Sequence, residues 1–197
     1  MSTNVLKKIA ELFARKKEQP LHNGIERFLV DAIETFESGD YQGSINRFQV
    51  LINAYADHPI ASLYLGRSYL ELKNYEKAVE SLHNHLNVVP NSVEAMMYLG
   101  LAYFECLEFR VAQSLFEDAL KLRANSLLVR ENLVITKIAG DRLEEALDDL
   151  IKLHAEHPED RAITELLVLT LGRLGKWEAA KRYAIISSSP PIAQAAV

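Results

Sequence analysis

Few residues in this 197-residue chain have the chemistry for catalysis, and they are scattered. His154 and His157 stand three apart near a predicted helix end and share a face. Neither a third ligand nor a suitably spaced glutamate completes a metal site around them, so they read as ordinary solvated histidines. His83 and His85, two apart on a helix, point in different directions. Cys106, the single cysteine, lies beside Glu105 and Glu108, whose charges disfavour a reactive thiolate. Gly39-Asp40, Gly140-Asp141 and Gly175-Lys176 read as turns, no glycine-rich phosphate loop is present, and serines cluster only at 187–189. The expectation is a protein with no catalytic residues, no metal and no cofactor, and not an enzyme.

The elements that would position any site repeat. Tyr41, Tyr75, Phe109, Leu143 and Trp177 are each 34 residues apart. Leu65-Gly66, Tyr69, Tyr75 and Ala78 recur as Leu99-Gly100, Tyr103, Phe109 and Ala112. A fixed period of this length marks stacked structural repeats. Gly66 and Gly100 on one helix, and Ala78, Ala112, Ala146 and Ala180 on the next, are small residues suited to close helix crossings. The large residue opening each second helix can fill the wedge between neighbouring pairs. Such a pair cannot bury its apolar face alone, so the units must stack.

This pattern resembles the tetratricopeptide repeat family, whose unit reads Leu-Gly, two residues, Tyr, then Ala, then an aromatic, then Pro. Residues 92–125 match it best, with Leu99-Gly100, Tyr103, Ala112, Phe116 and Ala119, although Ala124 stands where proline is usual. The outer units depart from it at Ala32 and Ser44, at Val134 and Lys137, and at Val168 and Leu171. The resemblance implies an all-α, right-handed solenoid of about five helix-turn-helix pairs. The repeats fall at about 25–57, 58–91, 92–125, 126–159 and 160–187, with turns at Ser38-Gly39-Asp40, Lys73-Asn74, Leu107-Glu108, Gly140-Asp141 and Gly175-Lys176. Residues 1–24 form an amino-terminal segment, 25–187 the repeat domain and 188–197 a short tail. Val5, Leu6, Ile9, Leu12 and Phe13 predict an amphipathic helix over 4–17, ended by Pro20 and Asn23-Gly24, with capping as its main role. The first 20 residues carry five basic and two acidic side chains, +3 against −8 for the remainder.

Composition sets further bounds. A net charge of −5 and a pI near 5.7 argue against general nucleic-acid binding, which needs a basic face. One cysteine excludes an internal disulfide and fits a reducing compartment. No run approaches a membrane span, and Lys7, Lys8 and Glu11 interrupt what would be a signal-peptide core. The expected location is cytoplasmic, with membrane contact at most weak and through the amino-terminal helix.

The resemblance further implies that the first helix of each pair lines a concave groove that binds a peptide. Its positions here are Leu29, Ile33 and Phe36; Leu63, Arg67 and Leu70, flanked by Tyr64; Met97, Leu101 and Phe104, flanked by Tyr98; Glu131, Ile135 and Ile138; and Glu165, Leu169 and Arg173. The lysine and asparagine clamp of the chaperone-binding subset is missing, since Leu29 and Ile33, or Leu63 and Arg67, then Leu128 and Asn132, occupy its places. The groove is apolar in its amino-terminal and middle parts, which suits a protein partner with a hydrophobic or amphipathic segment. The expectation is therefore an adaptor or assembly factor. Two alternatives are a homo-oligomeric scaffold, joined through the amino-terminal helix and an uncapped last repeat, and a chaperone for secreted or membrane-inserted proteins.

Overall fold

The structure, a computed structural model, describes residues 20–123 and 126–188. The predicted helix over 4–17 and the tail beyond Ser188 lie outside the described residues. Within them every regular element is an α-helix: α1 (Pro20–Glu37), α2 (Tyr41–Ala54), α3 (Pro59–Glu71), α4 (Tyr75–Val88), α5 (Val93–Glu105), α6 (Phe109–Leu122), α7 (Leu127–Ala139), α8 (Leu143–Glu156), α9 (Arg161–Arg173) and α10 (Trp177–Ser188). They fall into two compact units that part between Cys106 and Leu107.

Local chemistry sets the helix boundaries. Asp40, Asn74, His58, Ser92 and Asp160 each accept a backbone N–H from the first turn of the helix they precede, and Pro59 opens α3, where its missing N–H costs nothing. The turns inside the pairs share one device. Gly39, Lys73, Leu107, Asp141 and Gly175 all have positive φ, between 58° and 87°, and are spaced 34 residues apart. Around the first of these, the Gly39 N–H donates to the Phe36 carbonyl and the Asp40 N–H to that of Thr35. The same two-bond closure recurs at Lys73, Asp141 and Gly175. It satisfies carbonyls that a helix end leaves open.

One boundary differs from the expectation. Asn23-Gly24, read as a break, lies within α1. Glycine lowers helix propensity by only about 1 kcal/mol, which tertiary packing overrides. The packing is visible one turn later, where Leu29, Ala32 and Ile33 are buried.

In unit 1, α1 packs on α2 and α3, α2 on α3, α3 on α4 and α5, and α4 on α5. Its core joins Leu29, Ile33 and Phe36 to Phe48, Leu51, Tyr64 and Leu65. Gly66 marks a close crossing, because a Cβ there would lie 2.6 Å from Leu82 Cγ. Ser44 stands at the small-residue position of the first repeat, fully buried, and its hydroxyl meets that of Ser68 at 2.7 Å. In unit 2, α6 packs on α7, α7 on α8, α8 on α9 and α9 on α10. Val134, Ile138, Leu147, Leu150, Ile163 and Leu167 form its core. Lys137 stands where the pattern places an aromatic residue; it is nearly buried, and its Nζ donates to Asp149 Oδ2 at 2.7 Å.

Candidate partner-binding site

The predicted groove positions fall into three groups. Leu29, Ile33, Phe36, Leu63 and Tyr64 in unit 1 and Ile138 in unit 2 are buried and serve the cores. Arg67, Leu70, Met97, Tyr98, Leu101, Phe104 and Glu131 are half-buried. Ile135, Glu165, Leu169 and Arg173 are exposed. The buried group presents almost no surface to a ligand, because each side chain faces the adjacent helix of its own pair or the next one.

The half-buried residues of unit 1 build a site around Arg67 on α3. Its guanidinium carbon sits 4.6 Å from the Phe36 ring centroid, 4.7 Å from that of Tyr64 and 5.0 Å from that of Tyr98. Phe36 meets Tyr64 edge-on at 5.4 Å, and Phe48 stacks on the far side of Tyr64 at 5.5 Å. Three rings from α1, α3 and α5 thus converge on one cation. Glu94, at the start of α5, lies 3.7 Å from Arg67 Nη1. Removing a guanidinium from water is costly, and the ring faces with the Glu94 carboxylate offset that cost. Burial raises the pKa of Tyr64 and of Tyr98, so both phenols stay neutral.

Against this cluster opens a cavity of about 380 Å³. Arg67, Leu70, Tyr98 and Leu101 line it, while Glu71, Lys73, Tyr75 and Glu105 complete its wall. The Tyr75 hydroxyl donates to Glu105 Oε2 at 3.1 Å, fixing that carboxylate. The chemistry on offer is an apolar floor, a held guanidinium, the Lys73 ammonium and two carboxylates, groups suited to binding. Sequence reasoning missed Glu71, Lys73, Tyr75, Glu94 and Glu105. Only the chain turn at Lys73 could have signalled that a cation would be brought to this edge.

In unit 2 the predicted polar positions differ in their engagements. Arg173 donates to the Ile138 carbonyl at 3.1 Å and to Asp141 at 2.9 Å, closing the carboxyl end of α7. Glu165 accepts from Arg161 at 2.7 Å. Burial, with Asp160 nearby, raises the Glu131 pKa. His154, half of the histidine pair, meets Thr164 Oγ1 at 3.1 Å and packs edge-on against Tyr183. Among the described residues no group of three or more histidine, cysteine or carboxylate side chains is placed to hold a metal ion. No helix among them is long and apolar enough to cross a membrane.

Comparison with known proteins agrees with the fold. Residues 32–82, which run from α1 into α4, match the family model described as Tetratricopeptide repeat. No curated protein matches the chain. Among solved structures, a crystal structure of MamA is similar at 20% identity and a TM-score of 0.74, covering 79% of this chain and 91% of its own. MamA 41-end from Desulfovibrio magneticus RS-1 is similar at 14% identity and a TM-score of 0.77, covering 82% and 92%. At such identities the likeness is one of fold.

Proposed function

We propose, starting from a chain that is a tetratricopeptide-repeat protein, that it acts by holding a partner protein and performs no chemistry of its own. The docking point is the unit 1 cavity between α3 and α5. An apolar side chain of the partner enters over Leu70, Tyr98 and Leu101. In the wall Glu71 and Glu105 are balanced by Arg67 and Lys73, and it is the wider charge of residues 21–106, with eleven acidic and five basic side chains, that favours basic residues flanking that anchor. The occupant is therefore an amphipathic segment with one hydrophobic anchor and basic neighbours. The lone cysteine, which forms no internal disulfide, fits an adaptor working in a reducing compartment such as the cytoplasm.

One observation carries this reading: a cavity open beside a cation already stacked on three rings, so that its wall is formed before anything binds. A photoreactive amino acid placed at Leu101 tests it in the native cell. A single crosslinked protein that disappears when Leu70→Glu is added is the expected result. Crosslinks that persist unchanged with Leu70→Glu would overturn it.

A second reading, assembly of copies of this chain, is favoured by Trp177. At the wedge position of the last pair it is 63% exposed, its ring lying against Gly172. If copies join there, Trp177→Lys lowers the mass measured by light scattering at high concentration; a mass unchanged by the substitution removes this reading.

A further inference from the structure

A second cavity, of about 460 Å³, lies elsewhere in unit 1, near the beginning of α1. Ile25 and Glu26 of α1, the Tyr55-Ala56-Asp57-His58 connection, and Pro59 of α3 line it. Its surface is mostly carbon, from Ile25, Tyr55, Ala56 and Pro59, and two carboxylates, Glu26 and Asp57, stand at its edge. Neither carboxylate has an ion-pair partner among the described residues. His58 in its wall caps α3, its Nδ1 accepting the Ala61 N–H at 3.2 Å.

What fits this cavity is the chain's own first 19 residues. They lead directly into Pro20, the first residue of α1, five residues before Ile25, or about 7.5 Å along the helix. Val5, Leu6, Ile9, Leu12 and Phe13 give them an apolar set at helical spacing, and Lys7, Lys8, Arg15, Lys16 and Lys17 supply positive charge. Residues 1–20 carry +3, whereas residues 21–106 carry −6. Both the apolar area and the charge are complementary. We infer that residues 1–19 of the same chain cover this cavity, with apolar side chains on Ile25, Ala56 and Pro59 and lysines toward Glu26 and Asp57.

Hydrogen exchange on the full chain tests the inference. Phe13→Asp is expected to speed exchange of the Ala61 amide, which rests on His58 beside the cavity, by at least tenfold, with α9 in unit 2 unchanged. Unchanged exchange at Ala61 would overturn the inference. Because that variant also perturbs the apolar set, a second test uses charge alone. Lys16→Glu with Lys17→Glu should speed the same exchange at low salt, and adding Glu26→Lys with Asp57→Lys should restore it; lack of rescue would contradict the charge pairing. Concentration-dependent mass that collapses to a monomer in Phe13→Asp would assign the cover to a second copy and overturn the same-chain assignment.

Discussion

Position 67 in unit 1 and positions 135 and 169 in unit 2 occupy one place in the 34-residue period, yet their surroundings differ. Arg67 is 18% exposed in its side chain, held by three rings and a carboxylate. Ile135 and Leu169 are 38% and 54% exposed. The difference lies in the neighbouring register, where Tyr64 and Tyr98 of unit 1 give way to Asn132 and Leu166 in unit 2. Rings can stack on a cation and wall a cavity, whereas an amide and a leucine leave the same face open. One backbone pattern thus yields a preformed pocket in one unit and a plain apolar surface in the other. The ionic investment of the two units is also opposite. Unit 1 places its most buried cation, Arg67, at the face; unit 2 places its own, Lys137, between α7 and α8, on Asp149.

The largest expected effect probes that internal pair. Asp149→Ala strands the nearly buried Lys137 ammonium with only Glu145, at 3.9 Å, in reach. The expected loss is about 3 kcal/mol, at the low end for a broken buried pair because Asp149 is itself partly solvated. Hydrogen exchange should show the loss in α7 and α8 while α3 keeps its protection. Next, Gly66→Ala drives a Cβ into the fully buried Leu82 and should cost unit 1 about 2 kcal/mol in denaturant unfolding, the overpacking strain outweighing the gain in helix propensity. A smaller effect distinguishes the turns. Lys73→Gly should stabilise unit 1 by up to about 1 kcal/mol by removing a side chain from a left-handed backbone, and Asp141→Gly should gain less in unit 2, since aspartate tolerates that conformation better. Thermal melts of the two single variants give the order.

The smallest effect is one of pH and belongs to unit 1. Burial lowers the His58 pKa, and its neutral Nδ1 is the acceptor that caps α3. The unfolded chain therefore binds the proton more readily. Stability from this group is complete above the unfolded value near 6.5 and is lost as pH falls below it toward the lowered folded value. His58→Asn, which keeps a capping acceptor, should flatten that dependence in chemical unfolding between pH 7 and pH 5; an unchanged slope would assign the dependence to another group.

Much of the fold was legible because the repeat is written in residue types that geometry demands. The period located the five turns that hold the left-handed residues, including those at Lys73 and Leu107, where no glycine announces the backbone conformation. It also located the wedge residues, of which Leu143 is buried and Trp177 is exposed. The site was less legible. Leu29 and Ile33 share the register of exposed residues farther along, and only packing decides that they are buried. The Arg67 cluster joins residues about 30 apart on three helices, each unremarkable in its own segment. Lys137 is plain in the sequence as a departure from the pattern, but its partner Asp149 becomes identifiable only once α7 and α8 face each other.

The most direct test of a pocket in unit 1 compares one register position across the two units. Affinity purification from the native cell with wild type, Leu101→Glu and Leu169→Glu, each confirmed as helical by circular dichroism, places the same charge at equivalent sites. Recovery of a partner by wild type and Leu169→Glu, with at least tenfold less by Leu101→Glu, is the predicted result. Full recovery by Leu101→Glu, or its loss only with Leu169→Glu, would contradict it and move recognition to the open face of unit 2.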